Sequence, residues 1–326
     1  MSVDYTKIPL VFNVYKPSGP SSFKMVYHFK KNLSYDFGKI GHFGTLDPFA
    51  EGVLLIGVQG AQRLNEYVHK LLPKTYRAVG VFGGKTESGD FTKPVIETKD
   101  IDLKWQQMSK AELEEFIKTE FLGEYWQSPH SVSATKFEGK RLYQHALEGR
   151  MILKEKVKRE ILEFSITRYE YPEMEFVVKV SSGTYVRSLF EEFADLFGGL
   201  GALKILERIG IGENTSANSI KEEQWPLKDQ PFDLEKWGTP LDQVLRLNKV
   251  FMPHDQALKY LRGQRFLLGD IYERLDPLQE QVMAQDILWV YHAESLDLLG
   301  LGKKTETEFH VVFNLTRAIS FYLESK

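Results

Sequence analysis

The chain has 326 residues, enough for two domains, and 42% of them are hydrophobic and 13% aromatic, which supplies a buried core and excludes a disordered chain. Its 42 basic and 45 acidic residues leave a net charge of −3, with 13 basic against 9 acidic in residues 1–100 and 29 against 36 in 101–326; a bulk polycation is excluded and the positive excess sits in the first third. Cysteine is absent, which removes disulfides, thiolate metal sites and thiol nucleophiles, and neither a spanning apolar run nor a signal-peptide pattern is present, so a cytoplasmic protein with no membrane contact is expected.

Residues 10–15 read as a strand, ended by Lys16-Pro17-Ser18-Gly19-Pro20. Ser21 or Ser22 then caps a helix with Met25, Val26, Phe29 and Leu33 on one face and Lys24, Lys30 and Lys31 mostly elsewhere, a basic amphipathic helix. The glycines and proline of 38–48 predict a loop, followed by a buried strand over 53–58. Residues 61–72 look helical, and 74–82 look like a strand ending at Gly83-Gly84. Ser109 with Glu112 predicts a capping box opening a helix that turns Leu113, Phe116, Ile117 and Phe121 inward. Strands are expected over 161–171 and 174–181, and a helix over 188–197 closed by Gly198-Gly199. Residues 221–253 read as a connection, and the tail from 254, with a strand at 287–291, as a small β-rich module.

Read locally, Gly44-Thr45-Leu46-Asp47-Pro48 is a turn, because Asp before Pro commonly initiates one, and His42 is an ordinary surface or packed histidine. The functional alternative makes Asp47 a carboxylate presented by a loop between a basic helix and a buried strand. Taken singly, Arg187 reads as an exposed arginine at a helix start, where the helix dipole disfavours a cation, and Tyr76 as one side of a strand.

The run Gly41-His42-Phe43-Gly44-Thr45-Leu46-Asp47-Pro48-Phe49-Ala50-Glu51-Gly52-Val53-Leu54 resembles the signature loop of the TruB family of tRNA pseudouridine synthases. Four further blocks resemble that family in its order: Lys16-Pro17-x-Gly19 with Ser21-Ser22; Lys74-Thr75-Tyr76-Arg77-Ala78; Gln127-x-Pro129 with Ser133-Ala134-x-Lys136 and Gly139; and Gly183-Thr184-Tyr185-Val186-Arg187. The resemblance implies an α+β fold, with a mixed, largely antiparallel central sheet flanked by helices over 1–240 and a PUA-like RNA-binding module over 254–326. It also implies a thumb, about 123–152, that closes on RNA. The activity implied is isomerisation of the T-loop uridine of tRNA at position 55, through a flipped-out base, by a monomer with no cofactor, no metal and no obligatory protein partner.

Residue by residue, the resemblance makes Asp47 the catalytic carboxylate, acting either as nucleophile or as base on the ribose. Arg187 becomes its paired cation, Tyr76 the ring that stacks on the base, and Tyr185 a second pocket tyrosine able to serve a proton transfer at C5. His42, Lys16 and the basic helix are expected to position RNA, Asp90 to lie in a polar loop on the RNA side, and Leu206 to form a pocket wall or pack in the core. Such chemistry needs an ionised carboxylate, an adjacent cation and a dry aromatic pocket. Phe43, His130, Val132 and Glu207 depart from the family pattern, which puts RNA affinity in question more than activity. The tail and its connection, 13 basic against 17 acidic residues over 221–326, suit accessory RNA contact or a structural role.

Three other readings compete. A guide-RNA-dependent relative would carry long basic tails, which this chain lacks. A non-catalytic RNA-binding or tRNA-folding protein would make Asp47 dispensable. A glycoside hydrolase would need a second carboxylate about 5–9.5 Å from the first, for which Glu51 and Asp90 are the local candidates.

Overall fold

The computed structural model describes residues 4–6, 8–128, 136–137, 140–141, 155–267, 273–274, 283–284 and 286–315. β1 (Leu10–Lys16) leads into α1 (Ser22–Asn32), where Ser21 accepts the Lys24 amide as N-cap and Met25, Val26 and Phe29 are buried. The 38–48 segment is irregular apart from β2 (Gly41–His42), and in β3 (Glu51–Gly57) every residue after Glu51 is buried. A 3-10 turn at Ala61–Leu64 continues into α2 (Asn65–Leu71).

β4 (Lys74–Thr86) does not stop at Gly83-Gly84 as expected. Both glycines pair with β5 (Val95–Lys99), Gly83 with Lys99 and Gly84 with Thr98, and Gly83 takes φ +97°. The glycine supplies a bend that an ordinary residue resists, so the strand turns and continues.

After the short α3 (Leu103–Gln106), α4 (Lys110–Phe121) opens with the Ser109–Glu112 capping box and buries Leu113 and Ile117. β6 (Gly123–Gln127) follows, and β7 (Lys136–Phe137) pairs with β8 (Lys140–Arg141). The remainder of the expected thumb, with His130 and Val132, lies outside the described residues. β9 (Val157–Glu170) and β10 (Glu173–Val180) pair along their lengths, and α5 (Val186–Leu196) and β11 (Gly201–Ile211) complete the segment that carries the site. β12 (Asn214–Thr215), α6 (Leu234–Trp237), β13 (Gly238–Pro240) and α7 (Leu241–Val244) lead away from it.

Among the described residues the first sheet runs β13-β1-β3-β11-β4-β10-β9-β6, with β2, β5 and β12 paired off that path. Only β3–β11 is parallel among the neighbours on that path; the other pairs are antiparallel. The fold is therefore the expected mixed, largely antiparallel sheet with flanking helices. One apolar cluster packs α1 on β1 and β3 through Phe12, Phe29, Leu54 and Ile56. Another packs α4 and α5 on β4 and β10 through Ile117, Phe190, Phe193, Ala78 and Phe176.

A second sheet follows the order β15-β19-β18-β17-β14-β16, formed by β14 (Asn248–Met252), β15 (Phe266–Leu267), β16 (Glu273–Arg274), β17 (Ile287–His292), β18 (Leu298–Lys304) and β19 (Glu308–Asn314). β14 lies inside the stretch read as a connection. Its alternation of buried Asn248, Val250 and Met252 with half-buried Lys249 and Phe251 is too short to stand out before its parallel pairing with β17 is known. α8 (His254–Leu261) then packs Ala257, Tyr260 and Leu261 into the same core. No helix among the described residues is long and apolar enough to cross a membrane.

The helix-to-sheet contact is tightest at Gly80, where a Cβ would overlap the Phe190 ring. Gly80→Ala should lower the unfolding free energy by about 1–3 kcal/mol through overpacking. A fall in the urea midpoint at unchanged m-value would show it, and an unchanged midpoint would mean that Phe190 repacks freely.

Candidate active site

Asp47 projects from the irregular loop between β2 and β3, and buried donors hold the backbone of that loop. Lys16, with no exposed surface, donates from Nζ to the carbonyls of Pro17 at 3.0 Å, Pro48 at 3.1 Å and Ala50 at 2.6 Å. Arg208 of β11, also buried, donates from Nε to Val53 O at 2.7 Å, and from its two terminal nitrogens to Gly44 O at 3.2 Å and Thr45 O at 3.5 Å. Ser22 at the start of α1 accepts the Leu46 amide at 2.9 Å and donates to the Leu46 carbonyl at 3.0 Å. A loop without ladder partners needs such side chains, because a buried carbonyl left unpaired is costly. Gly52, at φ +107°, lets β3 pass so close to β11 that a Cβ there would collide with the Arg208 backbone.

Lys16, expected to position RNA, is turned inward onto the loop that carries Asp47. Its ammonium is directed at loop carbonyls and no part of it reaches the surface. Burial, with the charge of Arg208, lowers its pKa to about 8, although Asp47 and Glu51 pull it upward.

Arg187, in the first turn of α5, places Nη2 3.0 Å from Asp47 Oδ2. Its Nη1 donates to the Ser88 carbonyl and lies 3.8 Å from Asp90 Oδ2. These anionic and carbonyl partners offset the unfavourable placement of a cation near a helix N-terminus. Asp90, expected in a polar loop, is buried; its carboxylate accepts the Thr92 amide at 3.0 Å and the Thr92 hydroxyl, and it faces Arg187.

Asp47, Arg187, Tyr76, Tyr185 and Leu206 all line one cavity of about 260 Å³. Tyr76 comes from β4, whose alternation turns residues 74, 76 and 78 inward. Tyr185 precedes α5, and Gln127 fixes its backbone by accepting its amide at 2.8 Å and donating to its carbonyl at 3.0 Å. Leu206 serves both expected roles, lining the cavity and packing in the core. His42 is half-buried in β2 and outside the cavity wall, with Nδ1 shielded and without a hydrogen-bond partner among the described residues. Burial, and then Arg208, lower its pKa. Neither Glu51 nor Asp90 lines the cavity.

Three residues of the wall were not singled out from the sequence: His69, Lys74 and Arg208. Lys74 was within sight, since two-residue periodicity puts it on the same face of β4 as Tyr76. It is buried and donates from Nζ to the Ser182 hydroxyl, tying β4 to the turn that delivers Tyr185 and Arg187. Burial and Arg208 lower its pKa to about 7, and burial with Lys74, Arg208 and His42 lowers that of His69 to about 4. Among the described residues no cluster of His, Cys, Asp or Glu is arranged to hold a metal ion.

Phe43 and Glu207, two departures from the family pattern, face away from the chemistry. Phe43 is wholly buried and packed on Gly57, while Glu207 pairs with Arg77 at 3.1 Å and accepts the Tyr15 hydroxyl at 3.3 Å.

Comparison with known proteins agrees with this geometry. A solved structure of a Cbf5-Nop10-Gar1 complex matches with a TM-score of 0.68 at 21% identity, covering 96% of this chain and 86% of the other. An H/ACA RNP bound to a substrate RNA containing 2′-deoxyuridine matches at 0.65 and 19% identity, covering 96% and 86%. At such identity these show the fold alone. The family described as TruB family pseudouridylate synthase, N-terminal domain, matches residues 30–186. The tRNA pseudouridine synthase B of Thermosipho melanesiensis is 30% identical over 315 residues, 96% of each chain. That of Clostridium novyi is 36% identical over 296 residues, covering 90% of this chain and 95% of the relative. The chain belongs to the TruB family of pseudouridylate synthases, which are isomerases.

Lys16→Met should lower the unfolding free energy by about 2–4 kcal/mol, since the loop carbonyls lose their donor; a loss below about 0.5 kcal/mol would return Lys16 to the surface. For Lys74 the sign follows from its lowered pKa of about 7. The unfolded chain holds that proton at pH values where the folded chain has released it, so stability rises with pH above 7. Thermal unfolding at pH 7 and 9 should therefore show the wild type gaining on Lys74→Met, and parallel curves would mean that the amine stays charged in the fold.

Proposed function

We propose that this chain converts uridine to pseudouridine in the T-loop of tRNA, at position 55 in the usual tRNA numbering, with Asp47 as the catalytic carboxylate. The observation that carries the proposal is the Arg187–Asp47 pair at 3.0 Å on the wall of a cavity shared with Tyr76 and Tyr185. Relatives named tRNA pseudouridine synthase B, 30% and 36% identical over most of the chain, support tRNA as the substrate.

The reaction breaks the N1–C1′ bond of the target uridine, rotates the detached base, joins C5 to C1′ and moves the C5 proton to N1. Every bond change lies within one nucleotide, so no cofactor is needed. The uridine leaves its stack to reach Asp47, and the Tyr76 ring offsets part of that cost, stacking being worth about 1–3 kcal/mol. Asp47 acts as nucleophile or as base on the ribose, and the guanidinium at 3.0 Å fixes where its carboxylate stands. The Tyr185 hydroxyl serves proton transfer at C5, Leu206 closes the wall, and His42 helps hold the opened RNA. The enzyme acts in the cytoplasm as a monomer without an obligatory protein partner. Residues 1–240 form its catalytic unit, the thumb near 123–152 closes on the T-arm, and the tail read as 254–326, together with β14 that pairs into its sheet, is a PUA-like accessory module.

Unmodified tRNA transcripts treated with enzyme and mapped by carbodiimide-blocked primer extension should show a stop at the T-loop uridine with wild type and none with Asp47→Asn. That variant should bind tRNA within about tenfold of wild type, because a group acting in the transition state adds little to ground-state binding. tRNA bound without any stop would identify a non-catalytic binder, and full activity in Asp47→Asn would remove Asp47 from the chemistry.

A further inference from the structure

α1 buries Met25, Val26 and Phe29 against β1 and β3, and His28 packs beside Trp225 and contacts the Pro226 carbonyl at 3.2 Å. The helix is anchored by these contacts, yet it leaves two large aromatics in water: Phe23 is 73% exposed and Tyr27 58%. They stand four residues apart and therefore share a face. Lys24, Lys30 and Lys31 are exposed around them, and the helix carries no acidic residue. Packing explains none of these side chains, and exposed Phe and Tyr among lysines form an unusual solvent surface.

Its position is defined by covalent and hydrogen-bonded neighbours. Ser22, adjacent to Phe23, holds both the amide and the carbonyl of Leu46, the residue before Asp47. The Gly19 amide donates to the Pro48 carbonyl at 2.7 Å, one residue after Asp47. α1 and the turn before it are thus fastened to the residues on either side of Asp47.

We infer that the outward stripe of α1, Phe23 and Tyr27 flanked by Lys24, Lys30 and Lys31, is a docking surface for the single-stranded RNA next to the target nucleotide. This rests on RNA being the substrate. The aromatics offer flat apolar faces to unpaired bases, and the lysines meet the phosphates between them, the combination that single-stranded RNA requires and that neither group supplies alone. An acidic protein surface would match the lysines and leave the rings without stacking partners.

Binding of a tRNA transcript to Asp47→Asn protein, titrated from about 50 to about 300 mM salt, tests the assignment against two surface variants in the same background. Phe23→Ser with Tyr27→Ser should weaken Kd about 10- to 100-fold while the salt slope is retained. Lys24→Gln, Lys30→Gln and Lys31→Gln together should reduce the slope of log K against log salt by about 2, roughly 0.7 for each single-strand phosphate that is no longer neutralised. If the double serine variant loses its far-UV spectrum, Phe23→Leu, which keeps the apolar volume and removes the ring, should still weaken Kd about fivefold. A Kd within twofold of the parent overturns the assignment, and the same result with an altered oligomeric state gives the stripe to a second copy of the chain. If the parent fails to bind tRNA and wild type makes no pseudouridine in it, the tRNA reading has failed and the stripe falls with it. Modification by wild type alongside unimpaired binding by the serine variant overturns the stripe alone.

Discussion

The contact between Asp47 and Arg187, 3.0 Å across, is the constraint around which the catalytic half is arranged. The pair is unequal: the arginine side chain is 6% exposed and the aspartate 36%, so a buried, fixed cation holds an anion that faces the cavity. Taking a guanidinium out of water costs several kcal/mol unless its remaining protons find partners. The Ser88 carbonyl accepts one of them, and the Asp90 carboxylate adds opposite charge 3.8 Å from the same nitrogen. Asp90 is in turn held by Thr92, while its carbonyl accepts the Thr86 hydroxyl at 2.9 Å. This accounts for the length of β4: the chain bends at Gly83 and continues to Thr86, and so carries residues 88–90 to the back of the arginine.

The anion is held as firmly as the cation, by a different device. Asp47 lies in backbone that belongs to neither helix nor ladder, and Lys16, Ser22 and Arg208 substitute for the missing ladder partners. They come from three separate elements, the end of β1, the start of α1 and the middle of β11, so the loop is referenced to the sheet from several directions. A carboxylate positioned before substrate arrives needs no reorganisation when charge develops, and fixed geometry of this kind contributes more to catalysis than contact strength does. Lys16 and Arg208 also place positive charge near the loop without exposing it to solvent.

The sequence was informative about these residues to very different degrees. Asp47, Arg187, Tyr76 and Tyr185 were legible because their blocks resembled a family, and the cavity does unite them. The capping box at Ser109 and the buried face of α1 were legible from local physics alone, since capping and helical periodicity need no distant partner. The burial of Lys16 and Asp90 was not legible for one shared reason: a charged residue in a polar loop looks exposed until its partner is known. Two of the three carbonyl partners of Lys16 lie 32 and 34 residues away in sequence, and the guanidinium facing Asp90 belongs to Arg187. Arg208 and Lys74 were given no role of their own, although Lys74 stands in a block that carried the resemblance, because the carbonyls and the serine hydroxyl they meet are brought to them only by the fold.

The relation between the two sheets follows from Phe43. Its size in the signature loop looked like a threat to RNA recognition, yet the ring is wholly buried on the far side of the loop, filling the space above Gly57. It belongs to a single apolar cluster that includes Val11 and Leu55 of the first sheet and Trp289, Leu299 and Leu315 of the second. Polar contacts reinforce the junction: Arg63 donates to the Asn314 carbonyl at 2.6 Å, and the Trp289 indole to the Leu245 carbonyl at 2.9 Å. Without the second sheet, the back of the loop that carries Asp47 would present an apolar face to water. The acidic balance of 221–326, 13 basic against 17 acidic residues, is consistent with a segment whose first contribution is to complete that core. Whatever RNA it meets, the second sheet reaches the chemistry through packing, because Phe43 and Asp47 are four residues apart on one clamped loop.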